Sequence, residues 1–161
     1  MATTFHTVYL GLGSNLGDRE ENIYLAIERL GELVGQVERQ STLYVFEPWG
    51  FESEHQFVNA AVCCTTKLTP QQVLRRIQQI ERELGKTADH ATIREESFGE
   101  GRQIFRDRPI DIDILLYDHV EVDEPDLQIP HPQMRDRDFV MQPLSEILDD
   151  DYDLDLDFEE E

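Results

Sequence analysis

Apolar positions along this chain recur first at strand spacing and then at helix spacing, and the alternation repeats. Val8-Tyr9-Leu10-Gly11-Leu12 reads as a short strand, followed by a tight turn over Gly13-Ser14-Asn15-Leu16-Gly17-Asp18. Asp18 is a good N-cap, with Glu21 as its capping-box partner. Ile23, Ala26, Ile27, Leu30, Leu33 and Val34 then recur at helical spacing until Gly35. Val37 to Phe46 reads as a second strand, stopped by Glu47-Pro48-Trp49-Gly50. Phe57 to Thr66 is a third, apolar enough to be central. Thr69-Pro70 opens a second helix whose stripe is Val73, Leu74, Ile77, Ile80 and Leu84, closed by Gly85. A long polar loop, about Lys86 to Arg106, leads into a fourth strand. After Tyr117 come short turns, then Ile129-Pro130-His131-Pro132 and a last helix or two from about Phe139 to Leu148.

The order βαββαβ predicts an α+β domain of the ferredoxin-like kind, an antiparallel sheet with helices packed on one face. One domain is expected over residues 1–148, with 149–161 an acidic, flexible tail.

The fourth strand carries the most pointed chemistry. Asp111 and Asp113 sit two apart within Ile110-Asp111-Ile112-Asp113-Ile114-Leu115-Leu116-Tyr117. In a strand such residues share a face, about 6–7 Å apart. Burying two uncompensated carboxylates side by side is unfavourable, and a cation resolves the conflict. Mg²⁺ is the hard cation that takes oxygen ligands and shares them with substrate phosphates. The alternative is an edge strand with its polar face in water, for which the dense aliphatic flanks leave little room.

Charge narrows the field. The net charge is −21 and the pI near 4.4, which argues against a nucleic-acid backbone as partner. Lys67 and Lys86 are the only lysines, a balance that suits high salt; a melting temperature that ignores KCl would oppose that reading. From Asp149 to Glu161 there are nine carboxylates and no base, without the glycine-centred spacing of a calcium loop. Residues 86–110 instead set Lys86, Arg94, Arg102, Arg106 and Arg108 against five carboxylates, a landing place for an anion. No apolar run approaches membrane-spanning length, and the N-terminus lacks a signal-peptide pattern, so a cytoplasmic chain is expected, a monomer or weak dimer. Cys63 and Cys64 are adjacent, face opposite sides of a strand, and read as small buried hydrophobes of a reducing compartment.

Several other residues admit two readings. Asn59, mid-strand among apolar neighbours, either bonds internally or meets a heteroaromatic ligand. Trp49 and Phe57 either fill the core or stack on a flat ring. His131 either donates to a phosphate or acts as an acid, or it only shapes its turn. Arg135 and Arg137 either serve the site or pair with Asp136 and Asp138. The Gly13-Ser14-Asn15 turn is a weak signal, neither a dinucleotide fingerprint nor a Walker loop.

Together, five motifs resemble 6-hydroxymethyl-7,8-dihydropterin pyrophosphokinases, in order and over roughly Val8 to Ile147. They are Tyr9 to Asp18, Glu47-Pro48-Trp49-Gly50, Phe57-Val58-Asn59-Ala60-Ala61-Val62, Arg108-x-Ile110-Asp111-Ile112-Asp113-Ile114-Leu115, and Pro130-His131-Pro132-x-Met134-x-x-Arg137-x-Phe139-Val140. The resemblance implies transfer of pyrophosphate from ATP to the hydroxymethyl oxygen of the dihydropterin, leaving AMP, in folate biosynthesis. It implies two Mg²⁺ ions on Asp111 and Asp113, with Arg108 on the phosphates. It implies a pterin pocket of Asn59, Phe57 and Phe139, rimmed by Phe46, Pro48 and Trp49. Gln78, Glu81, Arg106, Arg108, Ile114, His131 and Arg137 would contact ATP. In that family the loop before the Asp pair closes over bound substrates. This chain departs from the family at Phe46, usually threonine, and at Ile104-Phe105-Arg106-Asp107-Arg108, commonly Arg-Trp-Gly-Pro-Arg; Phe105 is the candidate replacement for the tryptophan as a ring cover. Two other classes compete: a non-catalytic pterin or nucleotide binder, against which Arg108, Asp111 and Asp113 stand, and an acidic cation buffer resting on the tail alone.

Overall fold

The computed structural model describes residues 4–46, 57–86, 109–149 and 152. The strands are β1 (His6–Ser14), β2 (Gly35–Gln40), β3 (Tyr44–Phe46), β4 (Phe57–Thr66), β5 (Asp111–Tyr117), β6 (Val122–Glu124) and β7 (Leu127–Ile129). The helices are α1 (Arg19–Leu33), α2 (Pro70–Lys86) and α3 (Asp138–Ile147), with a single 3-10 turn at Met134–Asp136. The main sheet is antiparallel in the order β2-β4-β1-β5, with β3 also paired to β4.

The local signals act as anticipated at the helix starts and after α1, whereas α2 does not close at Gly85 but runs through it to Lys86. Asp18 accepts from Glu21 N–H at 3.2 Å as N-cap of α1. At the start of α2, Thr69 Oγ1 accepts from Gln72 N–H while Gln72 Oε1 accepts from Thr69 N–H, a reciprocal capping box. Gly35 is required where α1 turns back into β2: a Cβ there would lie 2.0 Å from the Thr65 carbonyl oxygen.

Strand alternation sorts the core into two layers. Val8, Leu10 and Leu12 of β1, Val58, Ala60, Val62 and Cys64 of β4, and Ile112 and Ile114 of β5 face α1 and α2. They meet Ile23, Ala26, Ile27 and Leu30 from α1, and Val73, Ile77 and Ile80 from α2. On the other face Tyr9, Ala61, Cys63, Leu115 and Leu116 pack against Met134, Leu144 and Ile147. A bulge makes this possible. The β1–β5 register slips between Tyr9 and Leu10, so Leu115 and Leu116 both join the second layer. Cys63 and Cys64 do fall on opposite faces, both buried, and burial pushes the Cys64 thiol up to about 12.

Three further features differ from the sequence expectation. The helices do not all lie on one face, because α3 covers the second layer. The strand expected over Val37 to Phe46 is two strands. Ser41 interrupts it, its N–H donating to Ala61 O while its own Oγ accepts from Ala61 N–H, so a side chain replaces one rung of the ladder. The segment after Tyr117 contains a two-stranded hairpin, β6–β7, rather than turns alone. The acidic tail begins docked. Asp149 donates its N–H to Tyr9 Oη and accepts from Arg39, and the Tyr152 ring packs edge-on against Tyr9. Among the described residues no helix is long and apolar enough to cross a membrane.

Candidate active site

The α3-side face is covered by hydrophobic packing over only part of its length. Toward the other end of β1 its residues are Gly11 and Gly13. Gly13 is flanked in register by Asn59 on β4 and Asp111 on β5, and Tyr44 on β3 continues the row beyond Asn59. The next row is Ala61, Gly11 and Asp113. Both carboxylates thus stand beside a strand that presents no side chain. A Cβ at position 13 would come 2.8 Å from Asn59 Nδ2, so an alanine there would force the Asn59 amide to shift.

Asp111 and Asp113 are half-buried, while Ile112 between them is in the core. Oxygen-only donors, two on one face of a strand beside open backbone, fit a hard divalent cation that completes its shell with phosphate and water. Glu81 on α2 accepts from Ile112 N–H at 2.8 Å through Oε2. It therefore anchors the peptide between the two aspartates, a role that helix periodicity could not reveal.

Asn59 is 7% exposed. Its Nδ2 donates to Leu12 O at 3.4 Å, and its Oδ1 is buried with no hydrogen-bond partner among the described residues. A buried amide oxygen without a donor is unfavourable by about 1–3 kcal/mol unless a ligand supplies one. Aromatic rings stand nearby. Phe46 pairs across strands with Phe57, stacks on Tyr44 at 6.1 Å between centroids, and meets Phe139 of α3 edge-on at 6.3 Å.

His131 is tied to the sheet by its N–H, which donates to Leu115 O. Gln133 N–H donates to its Nδ1 at 3.3 Å, which leaves the ring proton on Nε2. Burial pushes its pKa below the ordinary 6.5, the Arg137 guanidinium pushes the same way, and Asp111 opposes them. Arg137 bonds the Gln133 side-chain oxygen and lies over the Phe139 ring at 5.6 Å.

The remaining expected residues are spread out. Gln78 is exposed on α2. Ile114 is 5% exposed, with its side chain in the α1–α2 core. Ser14 and Asn15 are fully buried, so the turn after β1 is a packed element. Pro48, Trp49, Arg106 and Arg108 lie outside the described residues, as does the rest of the loop before β5 apart from its last turn. Sequence reasoning passed over Tyr44, the register partner of Asn59, and Glu146 of α3, which accepts from the Tyr44 hydroxyl at 3.4 Å; neither lies in a motif.

Known proteins resemble this chain over nearly all of it. The family model described as 7,8-dihydro-6-hydroxymethylpterin-pyrophosphokinase matches residues 9–149. A 2-amino-4-hydroxy-6-hydroxymethyldihydropteridine pyrophosphokinase of Porphyromonas gingivalis is 49% identical over 141 residues, covering 87% of this chain and 89% of that protein. The protein of the same name from Aquifex aeolicus is 43% identical, covering 88% and 79%. Among solved structures, wild-type HPPK-DHPS of Plasmodium falciparum with pteroate superposes with a TM-score of 0.64 at 15% identity. The match covers 91% of this chain and only 39% of that longer one, so it speaks for the shared fold alone.

Proposed function

The chain belongs to the 7,8-dihydro-6-hydroxymethylpterin-pyrophosphokinase family, and from that premise we propose how its own residues divide the work. The reaction moves a pyrophosphoryl group from ATP to the hydroxymethyl oxygen of the dihydropterin and leaves AMP, a step in folate biosynthesis. The observation that carries our reading is the row Asn59–Gly13–Asp111. Neighbouring strands lie about 4.8 Å apart, so Asn59 and Asp111 stand ~10 Å apart across a bare glycine. That suits a bicyclic ring with a one-carbon arm, its polar edge at Asn59 and its hydroxyl at the carboxylates.

In this reading the Asn59 Oδ1 takes the donor it lacks from the pterin edge, and Phe57 and Phe139 hold the ring faces. Phe46, Pro48 and Trp49 form the rim. Asp111 and Asp113 hold two Mg²⁺. Bound there, the ions would neutralise the triphosphate and stabilise charge on the attacking and leaving oxygens. His131, neutral with its proton on Nε2, donates to a phosphate oxygen and adds no charge of its own. Arg108, Arg106 and Arg137 supply the positive charge. Gln78, Glu81 and Ile114 lie toward the nucleotide, with Glu81 also anchoring Ile112. None of these residues is a side-chain base for the hydroxyl. The rate then comes from positioning and from fixed charge rather than from proton abstraction by the protein. The chain works in the cytoplasm, as a monomer or weak dimer.

Product identity tests this. Phosphorus NMR of the protein with ATP, Mg²⁺ and hydroxymethyldihydropterin should show AMP and the pterin diphosphate. ADP would mean a simple kinase, and pterin binding without turnover would mean a non-catalytic binder.

A further inference from the structure

Helix α3 is an awkward element on which to build a pocket wall. Its N-cap position is Arg137, a residue type that offers donors where an acceptor is needed. Pro143 lies inside it and contributes no N–H to the helical ladder. Yet this helix carries Phe139. Its orientation must come from tertiary contacts, and two of them grip the same short strand. At one end Phe139 meets Phe46 of β3. Two helical turns later Glu146 gathers the connection into β3: Oε1 accepts from Thr42 N–H at 2.9 Å, Thr42 Oγ1 at 3.1 Å and Tyr44 Oη at 3.4 Å. Residues seven apart lie on one helix face. Tyr44 in turn stacks on Phe46, which closes a circuit Glu146–Tyr44–Phe46–Phe139. Tyr44 is also the register partner of Asn59.

We infer that Glu146 is a positioning residue of the pterin pocket, locking β3 to α3 across Pro143 so that the ring-facing Phe139 stays seated against the rim residue Phe46, beside Asn59. The inference rests on the pterin-pocket reading above. Glu146 is exposed and its bonds go to Thr42 and the Tyr44 hydroxyl, so it acts on how well the pocket is preformed. A pocket assembled only on binding uses part of its binding energy to order itself. Releasing the clamp should weaken pterin binding and spare the nucleotide side, which draws on β5, α2 and His131 and whose one residue at α3, Arg137, is held at the opposite end of the helix by Gln133.

The test is steady-state kinetics of the full chain with Glu146→Ala, Glu146→Gln, Tyr44→Phe and Phe139→Ala. Glu146→Ala should raise the pterin KM about five- to tenfold, the worth of one to two net hydrogen bonds, and leave the ATP KM within about twofold. Glu146→Gln keeps an oxygen acceptor and should restore most of the loss, and Tyr44→Phe should show a smaller rise. If Phe139→Ala raises the pterin KM but Glu146→Ala does not, the clamp is refuted and the pocket stands. A parallel rise in both KM values with a lowered melting temperature would make Glu146 merely structural and also overturn the inference. If Phe139→Ala leaves the pterin KM unchanged, the pocket reading falls and the clamp with it.

Discussion

On β1, Val8, Leu10 and Leu12 point into α1 and α2, while Tyr9, Gly11 and Gly13 point the other way. β4 and β5 divide likewise: Val58, Ala60 and Val62 against Asn59 and Ala61, Ile112 and Ile114 against Asp111 and Asp113. One set of three strands thus has an aliphatic face closed by two amphipathic helices. Its opposite face becomes small and polar beyond the patch that α3 covers. The period of two lets folding and chemistry share the same backbone with little interference. The first face supplies the stability that lets the second keep an amide oxygen without a partner among the described residues and two neighbouring carboxylates.

Substitutions on either face should therefore separate activity from stability. The largest effect is expected on the polar face. Asp111→Ala or Asp113→Ala should lower turnover by about a thousandfold or more while the protein melts close to wild type. Wild-type rates in either variant would remove that residue from the metal site. On the aliphatic face, Ile80→Ala should lower unfolding free energy by about 2–5 kcal/mol in urea titrations and leave both KM values of the folded protein unchanged. Altered kinetics there would show that the faces are coupled. Asn59→Ala should weaken pterin affinity by roughly tenfold to a hundredfold, corresponding to about 1–3 kcal/mol, with ATP affinity retained. An equal loss for ATP would instead assign Asn59 to the frame of the site.

The smallest effect is a pH dependence. His131 sits below its ordinary 6.5 in the folded chain, through burial first and Arg137 second. As pH falls the unfolded chain takes up the proton first. The contribution of the neutral ring is therefore complete above about 6.5 and is lost as pH falls through the folded value. Denaturation of wild type and His131→Gln from pH 7.5 to 5 should show a shallower decline in the variant. Identical slopes would place His131 in water.

How much of this was legible in the chain depended on whether the signal was local. Strands β1 and β4 and the first two helices follow from period and capping, because Asp18 and Thr69 act within a few residues of themselves. The Asp111–Asp113 pair was legible for the same reason. What stayed hidden required partners distant in sequence. Ser41 breaks a predicted strand only because Ala61 lies opposite to accept the substitution. Glu81 looks like one polar helix position among several until Ile112 is placed against it. The second helical layer depended on a bulge at Leu115 that no alternation pattern announces. The Asn59 oxygen is left without a partner among the described residues by its neighbours on two other strands, which no local pattern reveals.

Pyrophosphoryl transfer at this site depends above all on the carboxylate pair being a metal clamp rather than a polar edge. Manganese bound per chain, measured by equilibrium dialysis with a non-hydrolysable ATP analogue, tests that directly. About two ions per wild-type chain are expected, with loss of that binding in Asp111→Asn and Asp113→Asn, both still folded. Wild-type stoichiometry and affinity in both variants would contradict it.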